Sequence, residues 1–217
     1  MTIEATSGLT LLGTRNTDRT AQAAIADLLA GDGTVYLISG YFTYQGYRTI
    51  RPHIVEFLER SRENELIVIV GPASDQFSAR IAYDLWSLND HDQISLLKQR
   101  RGLHAKLYLR DGNDAHCIIG SANITQVAFK YNIELGLEFN RDSIDHPDIA
   151  PFHDWAETMV EQSRPLRRRD LLVPAQVGSS FLNWSNKARL LPVRNVAIRV
   201  MPILLALVVL ATLFRFI

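Results

Sequence analysis

The stretch His104-Ala105-Lys106-Leu107-Tyr108-Leu109-Arg110-Asp111, with Gly120-Ser121-Ala122-Asn123 following it, decides how this chain is read. From Leu103 to Arg110 the residues alternate. Leu103, Ala105, Leu107 and Leu109 fall on one face, and His104, Lys106, Tyr108 and Arg110 on the other. Side chains two apart on a strand share a face, so the imidazole and the ammonium project together. Asp111-Gly112-Asn113-Asp114 supplies a turn, its Gly and Asn being tolerant of positive φ. His116 to Ile119 reads as a buried partner strand ending at Gly120-Ser121. In a third strand Ile133, Leu135, Leu137 and Phe139 form an apolar face, with Asn132, Glu134, Gly136 and Glu138 opposite. If these strands are neighbours, Glu134 lies near His104.

Upstream, Thr17 to Ala30 reads as a helix closed by Gly31, and Thr34 to Ser39 (TVYLIS) as a buried strand that runs straight into Gly40-Tyr41-Phe42. A helix from Tyr47 to Arg60 and a strand from Leu66 to Val70 come next, then a stop at Gly71-Pro72. A helix from Asp75 to Leu88 and a strand from Gln93 to Leu97 lead to the His104 segment. Strands alternating with helices of this length indicate an α/β sandwich.

The quoted motifs resemble the HxKxxxxD…GSxN signature of the phospholipase D superfamily. Over roughly residues 16 to 140, the GYF after the first strand, the VG after the second and the HAKLYL…IIGSANIT…N.EL block are similar to one branch in particular. That branch holds phospholipase D-type restriction endonucleases and nuclease domains attached to helicases. The resemblance implies a phospholipase D-like α/β sandwich, a mixed sheet flanked by helices, hydrolysing phosphodiesters with no metal and no other cofactor. Superfamily members usually carry two such motifs. Here His53, His91, His116, His146 and His153 all lack a Lys two residues on. The resemblance therefore implies a homodimer with the active site at its interface, one copy's His104 attacking and the other's protonating the leaving oxygen. The family's Asp, here Asp111, often supports the fold rather than touching substrate. Eight residues separate Asp111 from Gly120, a longer spacing than is common in the family.

The residue types suit that chemistry. A phosphodiester repels anionic nucleophiles, whereas a neutral imidazole can attack phosphorus and form a phosphohistidine. A carboxylate on the other ring nitrogen fixes the tautomer, and Glu134 is the candidate. Lys106 and Asn123 would hold the non-bridging oxygens, with Ser121 and the N–H groups around Gly120 as further donors. Leaving-group expulsion needs a protonated acid, typically contributing about 10²–10⁴-fold. The candidate catalytic set is thus His104, Lys106, Asn123, Glu134, Ser121 and Asp111. Tyr41 and Phe42 are candidates for stacking on a base, the alternative being that they anchor the loop. Arg100 and Arg101, with Lys98, lead into the His104 segment and could track a nucleic-acid backbone or a lipid headgroup. Arg164, Arg167, Arg168 and Arg169 form a second cluster, which reads equally as a solvated helix end.

At 217 residues and 47% hydrophobic, the chain can bury one substantial core. The single cysteine, Cys117, excludes a disulfide framework and points to a reducing compartment. No CxxC or His-cluster spacing suggests zinc, and MTIEATSGLT lacks the pattern of a signal sequence. Residues 1–170 hold 18 basic and 23 acidic side chains, whereas residues 171–217 hold five basic and none acidic. The catalytic region is therefore no bulk polycation, which weakens a case for strong non-specific binding to DNA.

This uneven charge suggests three regions: a catalytic domain over 1–165, a basic linker over 166–195, and a C-terminal hydrophobic helix over 196–217. From Val200 to Phe214 only Pro202 and Thr212 interrupt strongly apolar residues, and Arg199 and Arg215 flank the run. The tail reads as a membrane anchor holding a cytoplasmic catalytic domain at the inner face of the membrane. Otherwise it is a helix buried against another protein or in the dimer, and the chain is soluble and cytoplasmic.

Three functions compete on these residues. The first is a metal-independent endonuclease, with a helicase or defence-system protein as a possible partner. The second is a membrane-anchored phospholipase using the same catalytic set. The third is an idle dimerisation or sensor module, against which the intact His, Lys, Asn and Glu argue.

Overall fold

TVYLIS is β-branched or apolar at five of its six positions, and it forms an interior strand of an eight-stranded sheet. The computed structural model describes residues 9–14, 18–71, 77–89 and 91–171. Its strands are β1 (Leu9–Gly13), β2 (Thr34–Ser39), β3 (Glu65–Val70), β4 (Ile94–Lys98), β5 (Lys106–Asp111), β6 (Ala115–Gly120), β7 (Leu135–Arg141) and β8 (Arg164–Pro165). Its helices are α1 (Ala21–Leu28), α2 (Tyr44–Arg60), α3 (Ala79–Ser87), α4 (Gln126–Lys130), α5 (Ala150–Gln162) and α6 (Arg168–Leu171). The strand order is β1-β7-β6-β5-β2-β3-β4-β8. β2, β3 and β4 run parallel, and the other pairings are antiparallel, so the sheet is mixed as expected.

Threonines set where the helices begin. Thr20, Thr43 and Thr125 each place a hydroxyl as acceptor for the backbone N–H three residues on, the Ala23, Gly46 and Ala128 donors lying at 3.2, 3.3 and 3.0 Å. This cap starts α1 at Ala21 rather than Thr17, and starts α2 at Tyr44 rather than Tyr47.

Both faces of the sheet are covered. On one, Val35, Leu37, Val68, Tyr108 and Ile118 pack against Ile25, Leu28, Tyr47, Ile54, Ile81 and Phe129, which come from α1 to α4. On the other, Tyr36, Ile38, Leu107, Leu109 and Cys117 meet Ala156, Phe152 and Trp155 of α5. The alternation read in β5 is therefore real, but its polar face is not solvent-facing: Tyr108 and Arg110 are buried under α1 and α2. Burial in β6 also pushes the Cys117 thiol up to about 12, so it is inert at neutral pH. The packed unit runs on to Leu171, which lies against the first of these two cores. The segments assigned from sequence to the basic linker beyond Leu171, and to the apolar tail, lie outside the described residues.

In β7 Phe139 of the expected apolar face packs against Phe152 of α5, but the rest of the pattern departs from expectation. Glu138 is 1% exposed, while Leu135 on the nominally apolar face is 64% exposed and the preceding Ile133 is 85% exposed. The reason is an ion cluster built on the buried Glu138 and His116 and reaching the surface at Arg19 and Asp27. Arg19 donates to both Glu138 oxygens at 2.6 Å, His116 Nε2 sits 2.8 Å from Oε1, and Arg19 also pairs with Asp27 at 2.7 Å. Burial pushes the Glu138 carboxyl up, but the hydrogen bonds from Arg19 and His116 outweigh it and bring it to about 2, against 4.5 for a free glutamate. A depressed carboxyl stabilises the fold fully above about pH 4.5, and that contribution disappears as the pH falls towards 2. Glu138→Gln should therefore cost about 3–5 kcal/mol at pH 7 and flatten the acid limb of stability. Thermal melts at stepped pH would show this, and equal acid sensitivity in both proteins would contradict it.

Candidate active site

One end of the sheet gathers the chemistry. The register aligns Ser39 at the end of β2 with Lys106 at the start of β5, and Gly120 at the end of β6 with Gly136 near the start of β7. β4 ends at Lys98, and residues 99–105 then cross the ends of β3 and β2 to reach β5 on the far side. Gly71 and Gly40 lie under that crossover. A Cβ at Gly40 would stand 2.4 Å from the Leu103 carbonyl oxygen, so only glycine lets the two backbones approach this closely. The crossover delivers His104 just before the ladder begins, rather than inside the strand expected from Leu103 onward.

His104 is exposed, and its ring meets that of Tyr41 edge-to-face, the centroids 6.3 Å apart at 90°. Lys106 donates to the His104 carbonyl oxygen, which leaves two of its three N–H donors for other acceptors. Asn123 is held by its oxygen: Oδ1 accepts from the Tyr41 N–H at 3.1 Å and from the Ser39 hydroxyl at 3.3 Å. A backbone N–H can only donate, so this assignment of the amide is forced. Its Nδ2 end has no acceptor among the described residues. Ser39 is fully buried, and its single hydroxyl proton is shared between Asn123 Oδ1 and the nearer Tyr41 carbonyl at 2.8 Å. Tyr108 donates to the Ala122 carbonyl at 2.7 Å and so ties the Gly120–Asn123 turn to β5.

His104, Lys106, Asn123 and Tyr41 thus come together. Ser121 and Glu134 lie at the same end of the sheet but bind each other: the Ser121 hydroxyl donates to Glu134 Oε2, and Asn132 donates to Oε1 at 3.0 Å. Glu134 makes no hydrogen bond to His104 among the described residues. β6 stands between β5 and β7, so their ends are about 10 Å apart at the usual strand spacing. Asp111 does not join the group. It closes β5 at the opposite end of the strand, roughly 20 Å from His104 by strand rise, where it faces His153 at 3.7 Å.

Phe42 requires a correction. It is 1% exposed, bridges to both Phe77 and Ile124, and is core rather than a stacking surface for substrate. Tyr41 and Phe42 alternate in direction at the strand exit, so only the first reaches the site. Arg100 and Arg101 are exposed on the crossover with no ion-pair partner among the described residues. Arg164, by contrast, is committed to Asp170 through two bonds of 2.6 Å.

Sequence reasoning gave Ser39 no role, and it noted Gly40 only as part of the GYF pattern, not as the point of close backbone approach. A small polar residue followed by glycine directly after an apolar strand was the available signal. Among the described residues no group of three or more His, Cys, Asp or Glu comes together as a metal site.

Residues 19–153 match the family model for the N-terminal phospholipase D domain of the NgoFVII restriction endonuclease. Among solved structures, Nuc from Salmonella typhimurium, a phospholipase D family member, aligns with a TM-score of 0.56 and 14% identity, over 73% of this chain and 97% of that one. NucT from Helicobacter pylori aligns at 0.54 and 18%, over 73% and 98%. The phosphatidylserine synthase of Haemophilus influenzae Rd KW20 aligns at 0.56 and 15%, over 73% and 40%. No curated protein sequence matches significantly. At these identities the structures speak for the fold alone, but the family match spans well over half of the chain. The mixed sheet flanked by helices is accordingly the phospholipase D superfamily fold, and this chain belongs to that superfamily's NgoFVII restriction endonuclease N-terminal domain family.

Proposed function

We propose that this chain is a metal-independent phosphodiesterase that cleaves nucleic acid as a homodimer, with His104 as its nucleophile. The observation that carries the reading is the exposed His104 imidazole beside Lys106 and the unpartnered Nδ2 of Asn123. A phosphate in front of His104 would meet one nucleophile and two kinds of donor for its non-bridging oxygens. A neutral ring nitrogen attacks phosphorus, and the P–N bond forms as the P–O bond to the leaving oxygen breaks. That oxygen takes a proton from the imidazolium of His104 in a second copy. Water then attacks phosphorus, giving its proton to that second imidazole, and the P–N bond breaks to restore His104.

Exposed apolar residues beside the site support the dimeric reading. Val127, Tyr131, Ile133 and Leu135 are exposed on α4 and on the approach to β7, next to Ser121 and Glu134. Large apolar side chains exposed close together in sequence suit an interface. The occupant we assign is another copy, because one imidazole cannot be nucleophile and acid in the same step.

Nucleic acid is favoured by the restriction-endonuclease family and by the free guanidiniums of Arg100 and Arg101, which suit phosphates flanking the scissile one. The lipid reading drew its weight from the tail, which lies outside the described residues. Among the described residues no helix is long and apolar enough to cross a membrane.

The test is cleavage of DNA, RNA and phospholipid vesicles in excess EDTA, with His104→Ala beside the wild type. Scission of nucleic acid that the variant loses by at least 10³-fold is expected, on the order seen when a nucleophile is removed. Headgroup release alone would move the protein to the phospholipases, and cleavage abolished by EDTA would remove the metal-free mechanism. Gly40→Ala should lose activity by about 10²-fold while remaining folded, because its methyl group displaces the segment that carries His104. Full activity of that variant, assayed with circular dichroism as the check on folding, would show that the close approach is not needed.

A further inference from the structure

We propose that Tyr41 is the positioning residue of this site, orienting the nucleophile with its ring and the phosphate-binding amide with its backbone. The inference rests on the phosphodiesterase reading above. The usual device for orienting a catalytic imidazole is a carboxylate on the second ring nitrogen. Here the carboxylate expected in that place, Glu134, is engaged by Ser121 and Asn132. The group that does meet the imidazole is the Tyr41 ring, edge-to-face at 6.3 Å.

Tyr41 is well placed to act in this way because its own backbone is fixed on both sides. Its N–H donates to Asn123 Oδ1 at 3.1 Å, and its carbonyl accepts from the buried Ser39 hydroxyl at 2.8 Å. Gly40, immediately before it, packs against the backbone of Leu103 and lies 3.5 Å from the His104 Cα by its virtual Cβ. The next residue, Phe42, is locked in the core by bridges to Phe77 and Ile124. A ring mounted on so constrained a segment limits rotation of the imidazole it touches. The same N–H turns the Asn123 amide so that its donor end is free. One residue thus couples the direction of attack to the direction of oxygen binding. The Tyr41 hydroxyl has no hydrogen-bond partner among the described residues, so the ring and the main chain carry the role.

The experiment compares Tyr41→Phe and Tyr41→Leu with the wild type on bis(p-nitrophenyl) phosphate, reading kcat and KM separately. Alongside, the His104 ring proton shifts are read by NMR in the same three proteins. Tyr41→Leu should lose about tenfold in kcat with KM within about twofold, and its His104 signals should move as the ring current is lost. Tyr41→Phe should restore both. Unchanged kcat in Tyr41→Leu, or a Tyr41→Phe protein as impaired as Tyr41→Leu, would overturn the proposal. So would His104 shifts indifferent to the ring. Failure of the underlying reading is seen elsewhere, in a wild-type protein that cleaves no phosphodiester.

Discussion

The backbone of Gly40 lies against that of Leu103, and the end of the sheet that carries His104, Lys106 and Asn123 is organised around that approach. β2, β3 and β4 are parallel, so their C-terminal ends lie on one side, and the chain must cross two of them to enter β5 on the far flank. A crossover that close to the strand ends tolerates no side chain beneath it. Given the glycine, the crossover seats His104 beside Tyr41 and in line with the start of β5. Ser39, buried one residue earlier, then ties the Tyr41 segment to Asn123. His104 and Lys106 share one short segment while Tyr41 and Asn123 come from two others, and this one contact surface brings the three segments into register.

Much of this was legible in the chain. Period-two alternation located β5, the apolar run TVYLIS located β2, and His104, Lys106 and Asn123 stand out because they fall in a pattern that resembles the phospholipase D signature. What was not legible depends on long-range pairing. Periodicity placed Ile133 and Leu135 on a buried face and Glu138 on an open one, because an alternating strand does not reveal which side its neighbours cover. Arg19, more than a hundred residues away, makes the burial of Glu138 favourable, and no local pattern announces such a partner. Phe42 was misassigned for a related reason: consecutive residues at a strand exit point oppositely, and only the core contacts with Phe77 and Ile124 decide which one is inside. Glu134 and His104 share a phase, but β6 with Ser121 lies between them.

The site also explains why its exposed surface is unusual. Groups that bind phosphate must keep donors unsatisfied in the free protein, and here Asn123 Nδ2, Arg100 and Arg101 are without acceptors among the described residues. The two ion clusters that flank the core, around Glu138 and Asp84, are by contrast fully matched, with Arg51 and Tyr47 both donating to Asp84. Matched pairs thus hold the body of the fold, and unsatisfied donors gather at the sheet end that carries His104.

The central claim is that phosphorus passes through a bond to His104, and the stereochemistry at phosphorus tests it most directly. A chiral phosphorothioate diester is cleaved in isotopically labelled water and the configuration of the product is read by phosphorus NMR. Two successive in-line displacements, through phosphohistidine, give net retention, which is the result this account predicts. Inversion would mean that water attacks the diester directly, and His104 could not then be the nucleophile.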